Sequence, residues 1–149
     1  MSKILVINGP NLNLLGKREQ NIYGEKTLEE INKELEEIAK SHNIKIEFFQ
    51  SNYEGKIIEK IQSTDADFII INPASLTHTS IGLRDALLAR NIPSIEVHLS
   101  NLWNREEFRR KSLISDICIG VISGFKSLSY KLALFAAIDF LSEKNRKNI

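Results

Sequence analysis

The sequence predicts an α/β protein, a doubly wound five-stranded parallel sheet with helices on both faces. Three observations carry that reading. Five short runs rich in Ile, Val and Phe recur along the chain, and several are continuously apolar, as strands covered on both faces are. Segments with helical spacing separate these runs, and such regular alternation with short connections favours parallel strands joined by crossover helices. At 149 residues the chain has room for one domain with one sizeable core. It is too short for an eight-stranded α/β barrel, which needs roughly 200 residues or more.

The first run, Ile4–Asn8, opens into a 16-residue connection from Gly9 to Gly24. Strand-to-helix loops typically take ~2 to 6 residues, so this one reads as a functional loop or a lid. Leu28, Ile31, Leu35 and Ile38 then recur at helical spacing. Ile44–Gln50 is the second run, Ile57, Ile58 and Ile61 mark a second helix, and Phe68–Asn72 is the third run. Thr79 or Ser80 is placed to cap a helix running to about Arg90. After the fourth run, Ser94–His98, Asn104 and Glu107 look like a capping pair opening a short helix. Arg105 and Arg109 would then sit at i and i+4 on one face. Ile117–Ser123 is the fifth run, with Cys118 inside it as core. Ser127 to Phe140 carries the last apolar stripe, and Lys144, Arg146 and Lys147 read as a frayed, solvated terminus. No repeat, low-complexity tract or linker interrupts the chain, so residues 1–149 read as a single domain. With five strands, the flavodoxin-like order is the expected one.

Composition removes several functional classes. Apolar residues make up 42% and charged residues 26%, with Lys+Arg 20 against Asp+Glu 19. That is too apolar for a disordered chain and too balanced for a nucleic-acid binder working through a basic face. A single cysteine excludes an internal disulfide framework and multi-cysteine metal sites, and three histidines leave little for a metal cluster. No apolar run nears the ~18 to 20 residues needed to span a bilayer. The segment MSKILVINGPN lacks the parts of a secretory signal, so a cytoplasmic protein is expected.

In an open parallel sheet, ligands bind outside the carboxyl ends of the strands. The first strand is followed there by GPNLNLLGKREQNIYG and the third by NPASLTHTS. The fourth ends in Glu96-Val97-His98 and continues through Leu99-Ser100-Asn101 to Asn104–Arg110. Two of the three histidines, with most asparagines and arginines able to hold a polar ligand, collect at this edge; His42 does not. His78 is either part of a helix cap or a ligand contact. His98 shares a strand face with Glu96, which can orient the ring and favour its charged form, either for structure or as an acid. Trp103 fits an aromatic wall or a subunit contact, and Arg110 and Lys111 read as a solvated basic face. Neither GxGxxG nor GxxxxGK[ST] occurs, and GPNLNLLG is not a Ser/Thr-rich phosphate loop. Asn8 and Asn72 stand where response-regulator receivers carry acidic residues.

Three motifs then coincide in order: NGPNLNLLGKRE with IYG, NPASLTHTSIGLRDAL, and IEVHLSNLWNREEFRRKS, each after its strand. On these the chain resembles type II 3-dehydroquinase over essentially its whole length. The resemblance implies a flavodoxin-like, cofactor-free lyase assembled as a homododecamer of four trimers. It implies loss of water from 3-dehydroquinate to give 3-dehydroshikimate, by anti elimination through an enolate. Tyr23 matches the base that takes the C2 proton, and Arg18 the cation that keeps its phenol ionised and closes with the loop. Asn11 matches the side chain holding a water against the enolate oxygen. His98, oriented by Glu96, matches the acid that protonates the departing hydroxyl. Asn72 and the backbone amides of Leu99 and Ser100 match the clamp on the substrate carboxylate. His78 and Arg109 match contacts to ring hydroxyls, Arg105 a second cation near the tyrosine, and Asp85 a residue reaching the site across a subunit contact. Departures fall outside these roles: Gln20 replaces a common proline, Leu76 a frequent aromatic, and Leu102-Trp103-Asn104 a segment that usually contains a histidine. Arg110 and Lys111 also stand where histidines are common.

The physics of the pattern is consistent with that chemistry. A free phenol ionises near pH ~10, so a tyrosine base near neutrality needs a drop of ~3 units, or roughly 4 kcal/mol. One charge at ~4 Å supplies about 4 kcal/mol at an effective dielectric of ~20 but only ~1 kcal/mol in bulk water. Residues 17–24 are therefore expected to act as a lid that excludes water. Two other classes remain for comparison: a module that binds a small polar acid without transforming it, and a scaffold whose edge residues only stabilise an oligomer. The first needs no ionised tyrosine. The second predicts that Arg109→Ala harms assembly rather than affinity.

Overall fold

The structure, a computed structural model, describes residues 1–147. Its strands are β1 (Lys3–Asn8), β2 (Lys45–Gln50), β3 (Phe68–Asn72), β4 (Ser94–His98) and β5 (Gly120–Ser123). Its α-helices are α1 (Gln20–Tyr23), α2 (Leu28–Ser41), α3 (Glu54–Ser63), α4 (Ile81–Arg90) and α5 (Leu128–Lys147). Every strand pair is parallel, and the order is β2-β1-β3-β4-β5, the flavodoxin-like arrangement expected from the sequence.

The continuous apolar runs have a direct cause. Alternate residues of each central strand face opposite layers. Ile4, Val6, Phe68, Ile70, Ile95 and Val97 pack with Leu35 of α2 and with Tyr130, Ala133 and Leu134 of α5. Leu5, Ile7, Ile69 and Ile71 pack with Ile57 and Ile61 of α3 and with Leu83 and Leu87 of α4. Both sets are fully or nearly fully buried, so neither face of β1 or β3 can carry polar residues before the strand ends. Helix starts follow local chemistry. Thr27 and Glu30 form a capping box at α2. Of the two candidate caps for α4, Ser80 is the one used: its hydroxyl accepts the Leu83 N–H at 2.9 Å.

Four sequence expectations shift. β5 starts at Gly120, not Ile117, because Ser115–Ile117 forms a 3-10 turn. Ser112 Oγ accepts the N–H groups of Ile114 and Ser115 and curls the chain before it enters the sheet. Cys118 thus precedes the strand; burial pushes its thiol up to about 11, so it is a neutral packing group. β2 starts one residue late, at Lys45. Asn104 and Glu107 do not open a helix. Asn101 Oδ1 accepts the Trp103 N–H at 3.2 Å and starts a 3-10 turn, Leu102–Asn104, which Arg105 leaves in extended conformation before a second turn, Glu107–Arg110. Finally, α5 continues through Lys144, Arg146 and Lys147 as regular helix, with these cations exposed at the negative end of its dipole.

The sheet edge that matters lies at the ends of β1, β3 and β4. From β1 the chain crosses to β2 on one side, and it later returns to β3 on the other, so the loops diverge and leave a crevice. Asn8 and Asn72 are register partners at its base. Gly9 locks the two loops together. Its N–H donates to the Asn72 carbonyl at 2.8 Å, and a Cβ at this position would fall 2.4 Å from the Pro73 carbonyl oxygen. Only glycine fits there.

Candidate active site

A cleft of about 150 Å³ opens at this edge. The loop after β1 forms one wall. Asn11 adopts a left-handed conformation, φ 70°, which asparagine tolerates, and its N–H donates to Asn52 Oδ1 at 2.9 Å. Further along, α1 is one turn long and stops at Gly24, whose φ of 94° and ψ of 178° suit glycine alone. This turn places Tyr23 beside two guanidinium groups. The Arg18 and Arg105 carbons lie 4.8 and 5.1 Å from the ring centroid. Arg18 Nη2 is 3.3 Å from the Tyr23 hydroxyl and 3.2 Å from Glu19 Oε2. Arg105 is steadied by a bond to Ser100 Oγ at 3.1 Å. Gln20, where proline is common, donates to the Gly16 carbonyl at 2.7 Å and so ties the loop itself.

Asn72, at the end of β3, is held on the α5 side of the sheet. Its Nδ2 donates to Tyr130 Oη at 2.9 Å, its Oδ1 accepts the Ala74 N–H at 3.1 Å, and Tyr130 Oη donates to Asn8 Oδ1 at 2.5 Å. Burial pushes the Tyr130 phenol far above its ordinary range despite the Asn72 bond, so the hydroxyl stays protonated and able to donate. The amide orientation of Asn72 is thereby fixed, and its second Nδ2 hydrogen is left for the cleft.

His98 is anchored from the opposite face. It projects with Glu96 on the α3/α4 side, while Ile95 and Val97 turn toward α5. His98 Nε2 and Glu96 Oε2 are 2.5 Å apart, and the pair is buried. Glu96 Oε1 accepts the hydroxyls of Ser112 at 2.8 Å and Ser115 at 2.7 Å. Burial alone would raise the Glu96 carboxyl; the bonds from His98, Ser115 and Ser112 outweigh it and hold the group below its ordinary range. His78 does not cap α4. Its Nδ1 lies 2.6 Å from the Lys111 carbonyl oxygen.

Asn11, Arg18, Tyr23, Asn72 and His78 all line the one cleft, and so do His98, Leu99, Ser100, Arg105 and Arg109. Glu96 stands behind His98. Asp85 is exposed on α4 and does not line the cleft of its own chain, nor does Trp103, which is 71% exposed; it is no aromatic wall here. Arg105 and Arg109 reach the same cleft from two separate turns rather than one helix face. Sequence reasoning missed Tyr130 and Asn52, which hold the lining residues Asn72 and Asn11, and Ser112 and Ser115, which hold Glu96 behind His98. Tyr130 falls in an apolar helical stripe and the serines in an unpatterned loop, so spacing offers no signal for them.

The fold and this cleft define a doubly wound α/β protein with a polar cleft at its switch point, lined by a carboxylate-backed histidine and by a tyrosine beside two arginines. The sequence model described as dehydroquinase class II matches residues 2–138. The 3-dehydroquinate dehydratase of Francisella philomiragia subsp. philomiragia is 62% identical over 141 residues, covering 95% of this chain and 97% of the relative. The crystal structure of type II dehydroquinase from Butyrivibrio crossotus is similar at a TM-score of 0.87 and 48% identity, over 95% of this chain and 97% of that one. That from Propionibacterium acnes gives 0.88 and 38%, over 93% and 97%. The chain belongs to the class II dehydroquinase family. Among the described residues, no helix is long and apolar enough to cross a membrane.

Proposed function

We propose that the protein is a 3-dehydroquinate dehydratase, a lyase of the shikimate route to aromatic compounds, converting 3-dehydroquinate to 3-dehydroshikimate and water by anti elimination through an enolate. The observation that carries this reading is the convergence of Tyr23, Asn72, His98 and Arg109 on one cleft. Tyr23 Oη, as phenolate, takes the C2 proton, whose acidity comes from the adjacent ketone. Electrons move into the carbonyl to form the enolate, whose oxygen faces a water held by Asn11. The enolate then collapses, the C1–O bond breaks, and His98 delivers a proton to the departing hydroxyl, which leaves as water. General acid and base suffice, and no cofactor is called for.

Two features support the stereochemistry and the base. Tyr23 packs with the α2/α5 layer, whereas His98 projects from the opposite side of β4, so base and acid approach the cleft from different faces of the sheet. Arg18 and Arg105 lie 4.8 and 5.1 Å from the Tyr23 ring centre and Arg18 Nη2 is 3.3 Å from its hydroxyl, so both cations are placed to favour a phenolate, the more strongly if residues 17–24 close and exclude water. Asn72 with the amides of Leu99 and Ser100 takes the substrate carboxylate, and His78 and Arg109 take the ring hydroxyls.

The same reading has residues 1–149 as a single catalytic domain in the cytoplasm, assembled as a homododecamer of four trimers with Asp85 serving a neighbouring cleft. Leu128, Leu132 and Phe135 recur at i, i+4 and i+7 on an exposed face of α5, and edge strand β5 leaves Val121 exposed; these are the apolar surfaces such an assembly would use.

Near-ultraviolet absorbance of the conjugated enone product tests the reaction directly. Tyr23→Phe should lower kcat by about 10²-fold or more while affinity for a substrate-like acid changes little. Near-normal turnover in that variant would remove Tyr23 from its role.

A further inference from the structure

One short segment holds both cleft histidines. Lys111 offers its carbonyl to His78 Nδ1, and Ser112 and Ser115 offer their hydroxyls to Glu96, the partner of His98. None of these three residues lines the cleft. Hydrogen accounting here is closed. Ser112 Oγ already accepts the N–H groups of Ile114 at 3.2 Å and Ser115 at 3.1 Å, so its single hydrogen is the one given to Glu96. Two hydroxyls donate to Oε1, and together with His98 they outweigh burial and hold Glu96 below its ordinary carboxyl range, so it is an ionised acceptor at both oxygens and His98 Nε2 carries a hydrogen toward Oε2. A carbonyl has no hydrogen to give, so His78 Nδ1 carries one as well. Each ring therefore turns its other nitrogen to chemistry in the cleft.

We propose that residues 111–115 are a positioning element that sets the proton direction of both rings. Ser112 and Ser115 keep Glu96 acceptor-only, so that His98 releases its proton from Nδ1 alone. Lys111 fixes His78 in the tautomer whose Nε2 accepts from a ligand hydroxyl. The proposal rests on the dehydratase reading of the cleft. The other groups around the Glu96–His98 pair are Arg18, Arg105 and Arg109 across the cleft, His78 and Tyr23 on its walls, and the neutral Cys118 thiol beside Glu96. Asp116 is engaged by Arg84 at 2.5 and 2.9 Å.

Hydroxyl donors stabilise a lone carboxylate more than one already facing an imidazolium. Removing them therefore leaves Glu96 a stronger base that holds the shared proton more tightly, and the acid becomes weaker. The test uses Ser112→Ala, Ser115→Ala, their combination and Ser115→Thr, with pH profiles of kcat and KM, and 15N spectra of histidine-labelled protein. In the double variant the upper limb of the kcat profile should move to higher pH by about 0.5 to 1 unit, and the plateau should fall about tenfold with KM within about twofold. Ser115→Thr should restore the Ser115→Ala loss. In wild-type protein the neutral rings should be protonated at Nε2 in His98 and at Nδ1 in His78, and the double variant should show mixed tautomers at His98 only. A fall in kcat with both pH limbs and the tautomers unmoved would overturn the proposal. So would a neutral His98 protonated at Nδ1 in wild type, a result that needs no variant to fold. Correct tautomers in a protein that does not turn over 3-dehydroquinate would instead sink the dehydratase reading.

Discussion

Glu96 shows how much one side chain depends on what surrounds it. It is nearly inaccessible, yet its folded-state affinity for protons is lower than in the unfolded chain because three donors converge on it. A carboxyl with a depressed folded pKa contributes stability that is fully present above its unfolded value, ~4.5, and is lost as pH falls through the folded one. Glu96→Gln should therefore lower Tm most at neutral pH, with the gap to wild type closing as pH falls through the depressed folded value. Parallel Tm curves across pH 3–8 would show that the carboxylate adds nothing through its charge. The variant should also lose about 10²-fold in kcat. The Glu96–His98 pair itself was legible in the sequence, since residues two apart on a strand share a face. Its serine donors, 16 and 19 positions from Glu96, and Tyr130, 58 from Asn72, were not. Contacts made only by tertiary folding leave no periodic trace.

At the scale of elements, strands read well wherever burial on both faces forces a continuous apolar run, as in β1 and β3. The reading failed at the start of β5, where Ile117, Cys118 and Ile119 extend the run although hydrogen bonding to Ser112 keeps the chain in a turn. It failed likewise between β4 and β5, where a cap one turn early at Asn101 replaced the expected helix. The loop after β3 carries stored strain. Ala74 sits at φ 54°, a left-handed conformation costing about 1 to 2 kcal/mol for a residue with a Cβ. Glycine there would relieve it against an entropic cost of about 0.5 to 1 kcal/mol. Ala74→Gly should raise Tm by about 1 to 4 °C in calorimetry. A lower Tm would show that the methyl group's packing against the α2/α5 core outweighs the backbone gain.

For the whole molecule, the sheet works as a partition. One layer anchors Tyr23 and Asn72, the other anchors His98, and these side chains meet only at the edge. Leu128, Leu132 and Phe135 on the apolar face of α5 do not line the cleft, so disruption of that face should be separable from the chemistry of a single cleft. Leu132→Asp should shift sedimentation toward small species, with loss of turnover following loss of assembly if Asp85 serves a neighbouring cleft. An unchanged sedimentation coefficient would exclude that face from subunit contacts.

The contact between Gly9 and Pro73 has a consequence for recombination. Because two backbones separated by more than sixty residues meet without space for a methyl group, the loops they begin fit only as a matched set. A chimera joined anywhere between them fits only when one parent contributes glycine at position 9 and the other a loop that turns under it.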